Sequence, residues 1–347
     1  MKIALLAPFE EPVPPEKYGG TERVVYSLAE GLVNLGHDVT LFASGDSRTS
    51  ARLVPCVESH LRPFLEKNQR TWMYLQWQGF QRALYHLKNE KFDILHNHGD
   101  WPFLIAGAYT DAPMVTTIHN PVQFRLGVPE VYRQYKYISI SNSQRNYMPE
   151  LDYVATIYHG IDTENFEFND QPGDYLAFLG RIHPDKGPEE AIQIARETGS
   201  KLIMAAKIDA PDRHYYRKVI KPQIDGKQIV FIGEVAHAAK VALLKNARAL
   251  LSPIQWEEPF GLTNIEAMAC GTPVIALRRG SLPEIIIDSK TGYICDTLEE
   301  MVQRVGELDR INRADCRAHV KKVFSEKRMA ENHVKVYQKL IEARTLK

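Results

Sequence analysis

The sequence predicts an α/β protein with two doubly wound domains, each built around a parallel β-sheet. The chain has 347 residues, which is too long for one ordinary core and suits two α/β domains. Short apolar runs alternate with helical patterns along most of it, as expected for strands joined by crossover helices. This alternation is interrupted near residue 170, so we expect a domain boundary there.

The first half opens with a strand–loop–helix unit. Residues 2–8 are an apolar run typical of a buried parallel strand, and a Pro/Gly-rich loop follows at 12–20. A helical pattern then runs from residue 22 to 35 and ends at Gly36. Further strands are predicted at 38–43, 94–96, 114–118 and 137–140, with a further helix at about 72–89.

An acidic segment with Pro and Gly at 164–174 reads as a linker, and a second α/β series follows it. Strands are predicted at 176–179, 201–204, 229–232, 249–251 and 273–276, with helices near 189–198, 238–245 and 263–270. The last helical stretch, 327–342, has room to cross back to the first domain. We therefore expect domains at 1–165, with the C-terminal helix at about 327–347, and at 166–326.

The composition argues against several classes of protein. No stretch of 18 residues is apolar enough to span a bilayer, and no Lys/Arg run with interleaved aromatics predicts nucleic-acid binding. The four cysteines have no paired spacing, so we expect a reducing, cytoplasmic compartment. Residues 171–347 carry 28 basic and 23 acidic side chains, which a polyanionic ligand and ordinary solvated surface explain equally well.

The most informative segment contains two glutamates eight residues apart, Glu258 and Glu266, on either side of a probable helix start at Phe260-Gly261-Leu262. The first turn of a helix presents unpaired N–H groups that bind phosphate, and Gly261 permits close approach. Glu266, one turn into the helix, has oxygens suited to two vicinal hydroxyls such as those of a ribose. A surface carboxylate on an amphipathic helix is the alternative for an isolated Glu.

A second segment places two cations after a predicted strand. Gly180 and Arg181 follow the end of the strand, and Lys186 comes five residues later beside Gly187. Arg offers a planar fork of donors and Lys a point charge, and together they suit a diphosphate above the carboxyl end of the strand. By itself such a loop is usually only solvated, but the helix start at Leu262 strengthens the prediction.

In the first half, Gly19 and Gly20 form a turn directly before a helix, where backbone N–H groups suit a second anion or the oxygens of a leaving group. The alternative is a helix start capped by Thr21. The dinucleotide fingerprint GxGxxG is missing, which argues against an NAD enzyme. No D-x-D sequence occurs, so no metal-bridged diphosphate and no metal site are predicted.

Histidines follow two predicted strands. His96 and His98, with Asp100, have a spacing seen in metal sites, but on a strand such a pair is more often a core residue and its hydrogen-bonding neighbour. His119 ends an apolar strand and precedes a loop, the position at which parallel sheets place groups that face a ligand.

Together these residues resemble the retaining family 4 glycosyltransferases of the GT-B fold, also called glycosyl transferases group 1. The resemblance covers nearly the whole chain and rests most specifically on the Arg/Lys pair with the E-x7-E pair. It also rests on Gly-Gly-Thr-Glu at 19–22, His119 and His-Gly-Ile-Asp at 159–162. It implies two Rossmann-like domains facing across a cleft, with a C-terminal helix that crosses back to the first.

The resemblance also implies roles for single residues. Arg181 and Lys186 would bind the donor phosphates, Glu266 the ribose, and His119 would lie beside the anomeric carbon. Glu258, with Phe260, Gly261 and Leu262, would contact the transferred sugar and the distal phosphate.

The implied reaction is transfer of a hexose-type sugar from a nucleoside-diphosphate sugar to a hydroxyl acceptor, with retention and without metal or cofactor. UDP is the preferred nucleotide on family frequency, with GDP and ADP open. A sugar-nucleotide epimerase of the same architecture and a binding module without turnover are the alternatives.

Two departures from the family pattern bear on base or sugar preference. Ala205-Ala206-Lys207 stands where a glycine-containing turn is usual, and Arg279-Gly280-Ser281 replaces a common double glycine. The acceptor is not identified, but we expect a carbohydrate or lipid-linked molecule at the loops 44–70 and 122–132, and peripheral membrane contact stays open. Basic residues in the first loop suit an anionic acceptor or, more simply, a solvated face: Arg48, Arg52, Arg62, Lys67 and Arg70.

Overall fold

A computed structural model describes residues 1–17, 19–120 and 130–345, except the side chain of Glu66. The chain divides into two compact units, the N-terminal unit of residues 1–161 with 326–347, and the C-terminal unit of residues 162–325. Most of the predicted acceptor loop 122–132 lies outside the described residues. Within the described ranges, no helix combines the length and the apolar character needed to cross a bilayer.

The N-terminal unit holds a seven-stranded parallel sheet with helices. Its strands are β1 (Lys2–Leu6), β2 (Asp38–Ser44), β3 (Arg52–Val57), β4 (Ile94–Asn97), β5 (Met114–Thr117), β6 (Lys136–Ser139) and β7 (Asp152–Thr156). Its first four helices are α1 (Gly20–Asn34), α2 (Arg62–Lys67), α3 (Gln69–Asn89) and α4 (Glu130–Arg133). A 3₁₀ segment, Trp101–Tyr109, follows β4.

The strand order of this sheet is β3-β2-β1-β4-β5-β6-β7, so the direction of winding reverses between β1 and β4. Loops that follow strands at such a switch point diverge and leave room for a ligand. The loops that carry Gly19 and His98 follow these two strands, and His119 follows β5, the next strand along. The central strands are largely buried because helices cover both faces of the sheet, and β1 is buried from Ile3 to Leu6.

The C-terminal unit repeats the design with six parallel strands in the order β10-β9-β8-β11-β12-β13. The strands are β8 (Tyr175–Arg181), β9 (Lys201–Lys207), β10 (Ile229–Gly233), β11 (Ala249–Ser252), β12 (Val274–Leu277) and β13 (Gly292–Cys295). The helices are α5 (Pro188–Glu197), α6 (Arg213–Tyr215), α7 (His237–Asn246), α8 (Leu262–Ala269), α9 (Leu282–Ile285), α10 (Leu298–Val305) and α11 (Arg313–Val323). Here the winding reverses between β8 and β11.

The last helix, α12 (Glu326–Thr345), belongs to the N-terminal unit, where it packs against α1. The contact is close because a Cβ added at Gly31 would lie 2.9 Å from Cβ of Ala330. Tyr337 of the same helix is fully buried. The C-terminal helix therefore completes the first Rossmann-like unit, as the sequence predicts.

Three strands were not predicted from the sequence: β3, β7 and β13. Both β3 and β7 are edge strands, and their exposed positions interrupt the apolar run that identifies a central strand. Pro55 in β3 is a residue that edge strands tolerate. Strand β13 is only four residues long, although all four are buried.

Candidate functional site

In the C-terminal unit, the ends of β8 and β9 bring two cations side by side. Arg181 is the register partner of Lys207. Between them lies Asp209, whose carboxylate is 3.5 Å from Nη1 of Arg181 and 3.0 Å from Nζ of Lys207. Nε of Arg181 is buried and has no hydrogen-bond partner within the described residues. The strand end thus carries a cationic pair with donor capacity left over.

Lys186 is positioned by a turn that requires glycine. The turn Pro184–Lys186 ends at Gly187, which has a φ of 70°. A Cβ at Gly187 would lie 2.0 Å from the carbonyl oxygen of Pro253, so the two backbone segments touch directly. Because α5 begins at the next residue, the turn fixes Lys186 between the end of β8 and the helix.

Lys186 reaches the first glutamate of the predicted pair. Its ammonium forms an ion pair with the carboxylate of Glu258 and lies 5.0 Å from the ring centroid of Trp256. The indole N–H of Trp256 donates to Oε2 of Glu258 over 2.9 Å. The structure therefore brings Lys186 and Glu258 together and adds a tryptophan that the sequence analysis did not select.

The loop before α8 packs tightly on the Arg279-Gly280-Ser281 turn. Gly280 has a φ of 52°, and a Cβ there would lie 2.2 Å from the carbonyl oxygen of Glu258. The N–H of Ser281 donates to that oxygen over 2.9 Å, and its hydroxyl donates to the carbonyl of Phe260 over 2.8 Å. The single glycine thus stands at the position in this turn where only glycine fits.

Phe260 and Gly261 play different parts at the helix start. The Phe260 ring is buried against Phe324, with centroids 6.0 Å apart, so the side chain belongs to the core. Gly261 is the N-cap of α8 in a left-handed conformation, with φ of 82°. Leu262 is the first helical residue, so main-chain groups rather than side chains are what this segment presents to a ligand.

Glu266 lies in α8 and is buried, like the Lys240 ammonium of α7 with which it forms an ion pair. Asn264, in the first turn of α8, is fully buried, and within the part of the chain that the structure describes neither polar atom of its side chain has a partner. A buried unpaired amide is rare enough in folded proteins to call for an explanation.

Sequence reasoning missed four residues of this region: Lys207, Lys240, Trp256 and Asn264. Lys207 had a usable signal, because it follows the end of a predicted strand as Arg181 does. Asn264 stands at a predicted helix start with Gly261. Lys240 carries no local signal, since its partner is 26 residues away in the sequence.

In the N-terminal unit, α1 begins at Gly20 and its N-cap is Gly19. The alternative in which Thr21 caps the helix is therefore wrong, because Thr21 already lies in the first turn. The helix begins two residues earlier than predicted, since glycine at the cap lets the chain enter the helix directly from the loop. A Cβ at Gly19 would lie 2.7 Å from Cβ of Pro15, so this turn is also tightly packed.

His119 is buried among other imidazoles. Its Nε2 is hydrogen-bonded to Nδ1 of His98 over 2.9 Å, and its ring stacks on His159 with centroids 5.1 Å apart. Burial, reinforced by the nearby His333, lowers the pKa of His119 to about 3. The ring is therefore a neutral imidazole near pH 7, able to donate one hydrogen bond and accept one.

The strand-end His96 has a structural role. Its Nδ1 is hydrogen-bonded to the Tyr337 hydroxyl over 2.6 Å and its Nε2 to the Thr117 hydroxyl over 2.8 Å. Both ring nitrogens are thus engaged by the protein, which leaves His96 unsuited to the metal-site alternative raised by its spacing from His98. Among the described residues, no cluster of three or more His, Cys, Asp and Glu is arranged to hold a metal ion.

Comparison with known families gives two matches that follow one another along the chain. The family described as Glycosyltransferase Family 4 matches residues 18–165, and the family described as Glycosyl transferases group 1 matches residues 162–323. An uncharacterized glycosyltransferase of Methanocaldococcus jannaschii is 28% identical over 331 residues, covering 82% of this chain and 83% of that protein.

Solved structures share the fold. Sucrose-phosphate synthase from Thermosynechococcus elongatus aligns with a TM-score of 0.78 at 19% identity, over 99% of this chain and 100% of that one. The Anabaena protein HepE, crystallised with UDP and glucose, aligns with a TM-score of 0.73 at 15% identity, over 98% of this chain and 100% of that one. These likenesses confirm the predicted GT-B class.

The two family matches together span residues 18–323, well over half of the sequence. This chain is therefore a group 1, family 4 glycosyltransferase with two Rossmann-like domains.

Proposed function

We propose that the protein transfers a hexose-type sugar from a nucleoside-diphosphate sugar to a hydroxyl acceptor, with retention and without a bound metal. One observation carries the proposal. Arg181 and Lys207 stand side by side at the ends of β8 and β9, and Lys186 follows on the turn after β8. Cations at the carboxyl ends of parallel strands next to a switch point suit a diphosphate.

Arg181 and Lys186 are the proposed phosphate ligands. The unpaired Nε of Arg181 supports this role, because a buried donor without a partner among the described residues suits an anionic oxygen. Both cations would stabilise the charge that develops on the diphosphate as it leaves. A fixed pair of positive groups performs the neutralisation that a divalent ion supplies elsewhere, so no metal is required.

The segment around α8 is proposed to bind the two ends of the donor. Glu266 would accept hydrogen bonds from the ribose hydroxyls through the oxygen that Lys240 does not hold. Glu258, with the main chain of Phe260, Gly261 and Leu262, would contact the transferred sugar and the distal phosphate. The unpaired Asn264 amide in the same helical turn supports a polar ligand here.

The N-terminal unit is proposed to supply His119 and the glycine turn at Gly19 and Gly20. As a neutral imidazole, His119 would offer a hydrogen bond beside the anomeric carbon without repelling the positive character that develops there. Backbone N–H groups at the start of α1 would hold oxygens of the leaving group.

In the proposed reaction, the bond from the anomeric carbon to the β-phosphate oxygen breaks while the acceptor oxygen attacks from the same face. The acceptor proton passes to the departing phosphate oxygen, so the enzyme needs no nucleophile of its own. Retention follows because bond breaking and bond making occur on one face of the sugar.

UDP is the proposed nucleotide. The HepE structure, which shares the fold, was crystallised with UDP and glucose, and this supports the choice without deciding it for the present chain. The acceptor is proposed to be a carbohydrate or lipid-linked hydroxyl compound, and the compartment the cytoplasm. No reported relative favours the epimerase alternative.

A donor panel tests the proposal. UDP-, GDP- and ADP-sugars are incubated with the protein and a mixture of saccharide acceptors, with and without EDTA, and products are identified by mass and by the anomeric coupling in proton NMR. We expect transfer from a UDP-sugar, unchanged by EDTA, with the donor configuration kept. Complete loss in EDTA restored by magnesium, or an isomerised donor in the absence of acceptor, would contradict it.

A further inference from the structure

The N-terminal unit contains a cavity of about 620 Å³, lined by Gly19 and Gly20 but by none of the residues proposed to bind the nucleotide's base, ribose or sugar. Its walls come from the turn before α1, from α3 and from the loop after β4. Aromatic side chains make up much of the surface: Trp72, Trp77, Phe80, Trp101 and Phe103. Flat apolar walls with a few polar groups are typical of sites for small organic ligands.

The polar groups of this cavity are mainly acidic. Glu10, Glu22 and Asp100 line it, and the charge of Glu10 contributes to the raised pKa of both of the other carboxyl groups. Arg62 is a cation on the same wall, but its Nε donates to Glu11 over 2.5 Å, so its charge is already balanced. Beyond the N–H groups at the start of α1, a phosphate group in this cavity would meet carboxyl groups and a cation that is already paired, which favours a neutral ligand.

Asp100 is held in an unusual backbone conformation. Its φ is 59°, a value that non-glycine residues rarely adopt. Asn97, fully buried, fixes it by donating from Nδ2 to the Asp100 carbonyl over 3.1 Å and accepting from Gly99 N–H over 2.8 Å. Strain maintained by a buried clamp is characteristic of functional positions.

Oδ1 of Asp100 and the indole N–H of Trp72 are buried atoms of the cavity lining that lack hydrogen-bond partners among the residues the structure describes. One is an acceptor and the other a donor, and a hydroxyl group of a ligand can satisfy either, since a hydroxyl both donates and accepts. Burial and the nearby Glu10 raise the pKa of Asp100 to about 7, which agrees with a carboxyl group that hydrogen-bonds hydroxyls.

We propose that this cavity binds the acceptor and selects an uncharged, hydroxyl-rich carbohydrate over a phosphorylated one, with Asp100 as a specificity-determining residue. The inference rests on the proposed transferase function and deepens it. Two of the five basic residues behind the anionic-acceptor hypothesis are already paired, Arg52 with Glu90 and Arg62 with Glu11. The apolar faces of the tryptophans would cover the C–H faces of the sugar ring.

Tryptophan fluorescence provides a direct test. The chain has four tryptophans, and Trp72, Trp77 and Trp101 all line the cavity. In a Trp256→Phe background the remaining emission therefore reports on the cavity alone. The neutral probes are glucose, sucrose, maltotriose and myo-inositol. The anionic probes are the phosphate monoesters of glucose, sucrose and myo-inositol, and glucosamine is the cationic probe.

We expect at least one neutral probe to change the emission in a saturable way and its phosphate ester to bind at least about tenfold more weakly. Asp100→Asn keeps the size and shape of the side chain and removes its charge. In this variant the discrimination against phosphate should fall about tenfold. Asp111→Asn, an exposed site of the same unit outside the cavity lining, is the matched control and should leave it unchanged.

Equal or tighter binding of a phosphate ester, or no response to any neutral probe, would overturn the inference. Tighter binding of glucosamine than of glucose would also overturn it and would indicate a cationic class of acceptor. The same probes are then tried as acceptors with the UDP-sugar. Binding of neutral sugars without any transfer would contradict the proposed function and leave the assignment of the cavity intact. Transfer to phosphorylated acceptors alone would support the proposed function and contradict the assignment of the cavity.

Discussion

The ammonium of Lys240 donates to Oε1 of Glu266, and both side chains are buried within the C-terminal unit. The pair has two consequences. It compensates a carboxylate that would otherwise be costly to bury, and it fixes that carboxylate in one orientation with Oε2 left for other contacts. An orientation fixed before binding lowers the cost of ordering the site around a ribose.

Glu266→Gln is expected to weaken the binding of UDP and of uridine by the same factor, because the lost contacts are to the ribose that both ligands share. Hydrogen bonds to a charged group contribute about 1.5–3 kcal/mol, so the loss should be on the order of tenfold to a hundredfold. Calorimetric titration measures it, with the exposed Glu299→Gln on α10 as the control. An unchanged uridine affinity would remove Glu266 from the nucleoside site.

Gly187→Ala and Gly199→Ala separate backbone strain from a steric clash. Both glycines have positive φ, 70° and 66°, but a Cβ at Gly187 would lie 2.0 Å from the Pro253 carbonyl oxygen, whereas within the described ranges one at Gly199 meets nothing within 4 Å. We expect Gly199→Ala to lower the free energy of unfolding by about 1–2 kcal/mol through backbone strain alone. Gly187→Ala should lower the free energy of unfolding, measured with urea, by a larger amount. It should also weaken UDP binding, because Lys186 moves with the turn. Equal effects of the two variants would show that the turn does not position Lys186.

His119→Ala is expected to lower kcat by about 10²-fold while nucleotide affinity changes little, since a contact made in the transition state accelerates the reaction. A packed histidine without a catalytic role predicts a lower melting temperature and a normal single-turnover rate in the folded fraction. The three quantities are therefore measured on one preparation, with the exposed His214→Ala as the control. A stable His119→Ala protein that turns over at the wild-type rate would exclude this residue from the mechanism.

Acidification should destabilise the N-terminal unit through five buried imidazoles: His96, His98, His119, His159 and His333. Burial lowers the pKa of each, to about 3 for His119 and about 4 for His333. In the unfolded chain these groups titrate near 6.5, so between about pH 4 and 6.5 the unfolded state binds more protons. The free energy of unfolding therefore falls as the pH falls through this range.

Three carboxyl groups of this unit act in the opposite direction, and burial raises the pKa of the first, Glu10. The pKa values of Glu22 and Asp100 are raised to about 7, so in the same range the folded state holds their protons more firmly. Five imidazoles against three carboxyl groups leave a net loss of melting temperature from pH 7 to pH 5. His333→Leu removes one of the five imidazoles and should reduce the loss of melting temperature between pH 7 and pH 5. A melting temperature that rises on acidification would show that the imidazoles are not buried in solution.

The architecture could be predicted from the sequence because central parallel strands are buried on both faces. The run at 176–179, for example, lies within β8. Edge strands such as β3 and β7 have no such signature, since solvent replaces part of the core.

At the site, strand-end and helix-start residues were identifiable because their position follows from local patterns. Long-range pairings such as Lys240 with Glu266 were not. Nor was the clamp of Asn97 on Asp100, which depends on a left-handed backbone that the sequence does not signal. The roles assigned to the site residues stay predictions.

The most direct test of the donor site is a calorimetric titration of UDP and uridine into the wild-type protein and its Arg181→Ala and Lys186→Ala variants. Each cation is proposed to make charge-assisted hydrogen bonds worth about 1.5–3 kcal/mol to the diphosphate. Each variant should therefore lose on the order of tenfold or more in UDP affinity and keep its affinity for uridine, which lacks phosphate. UDP affinity equal to wild type in both variants would contradict the assignment of the donor site to the C-terminal unit.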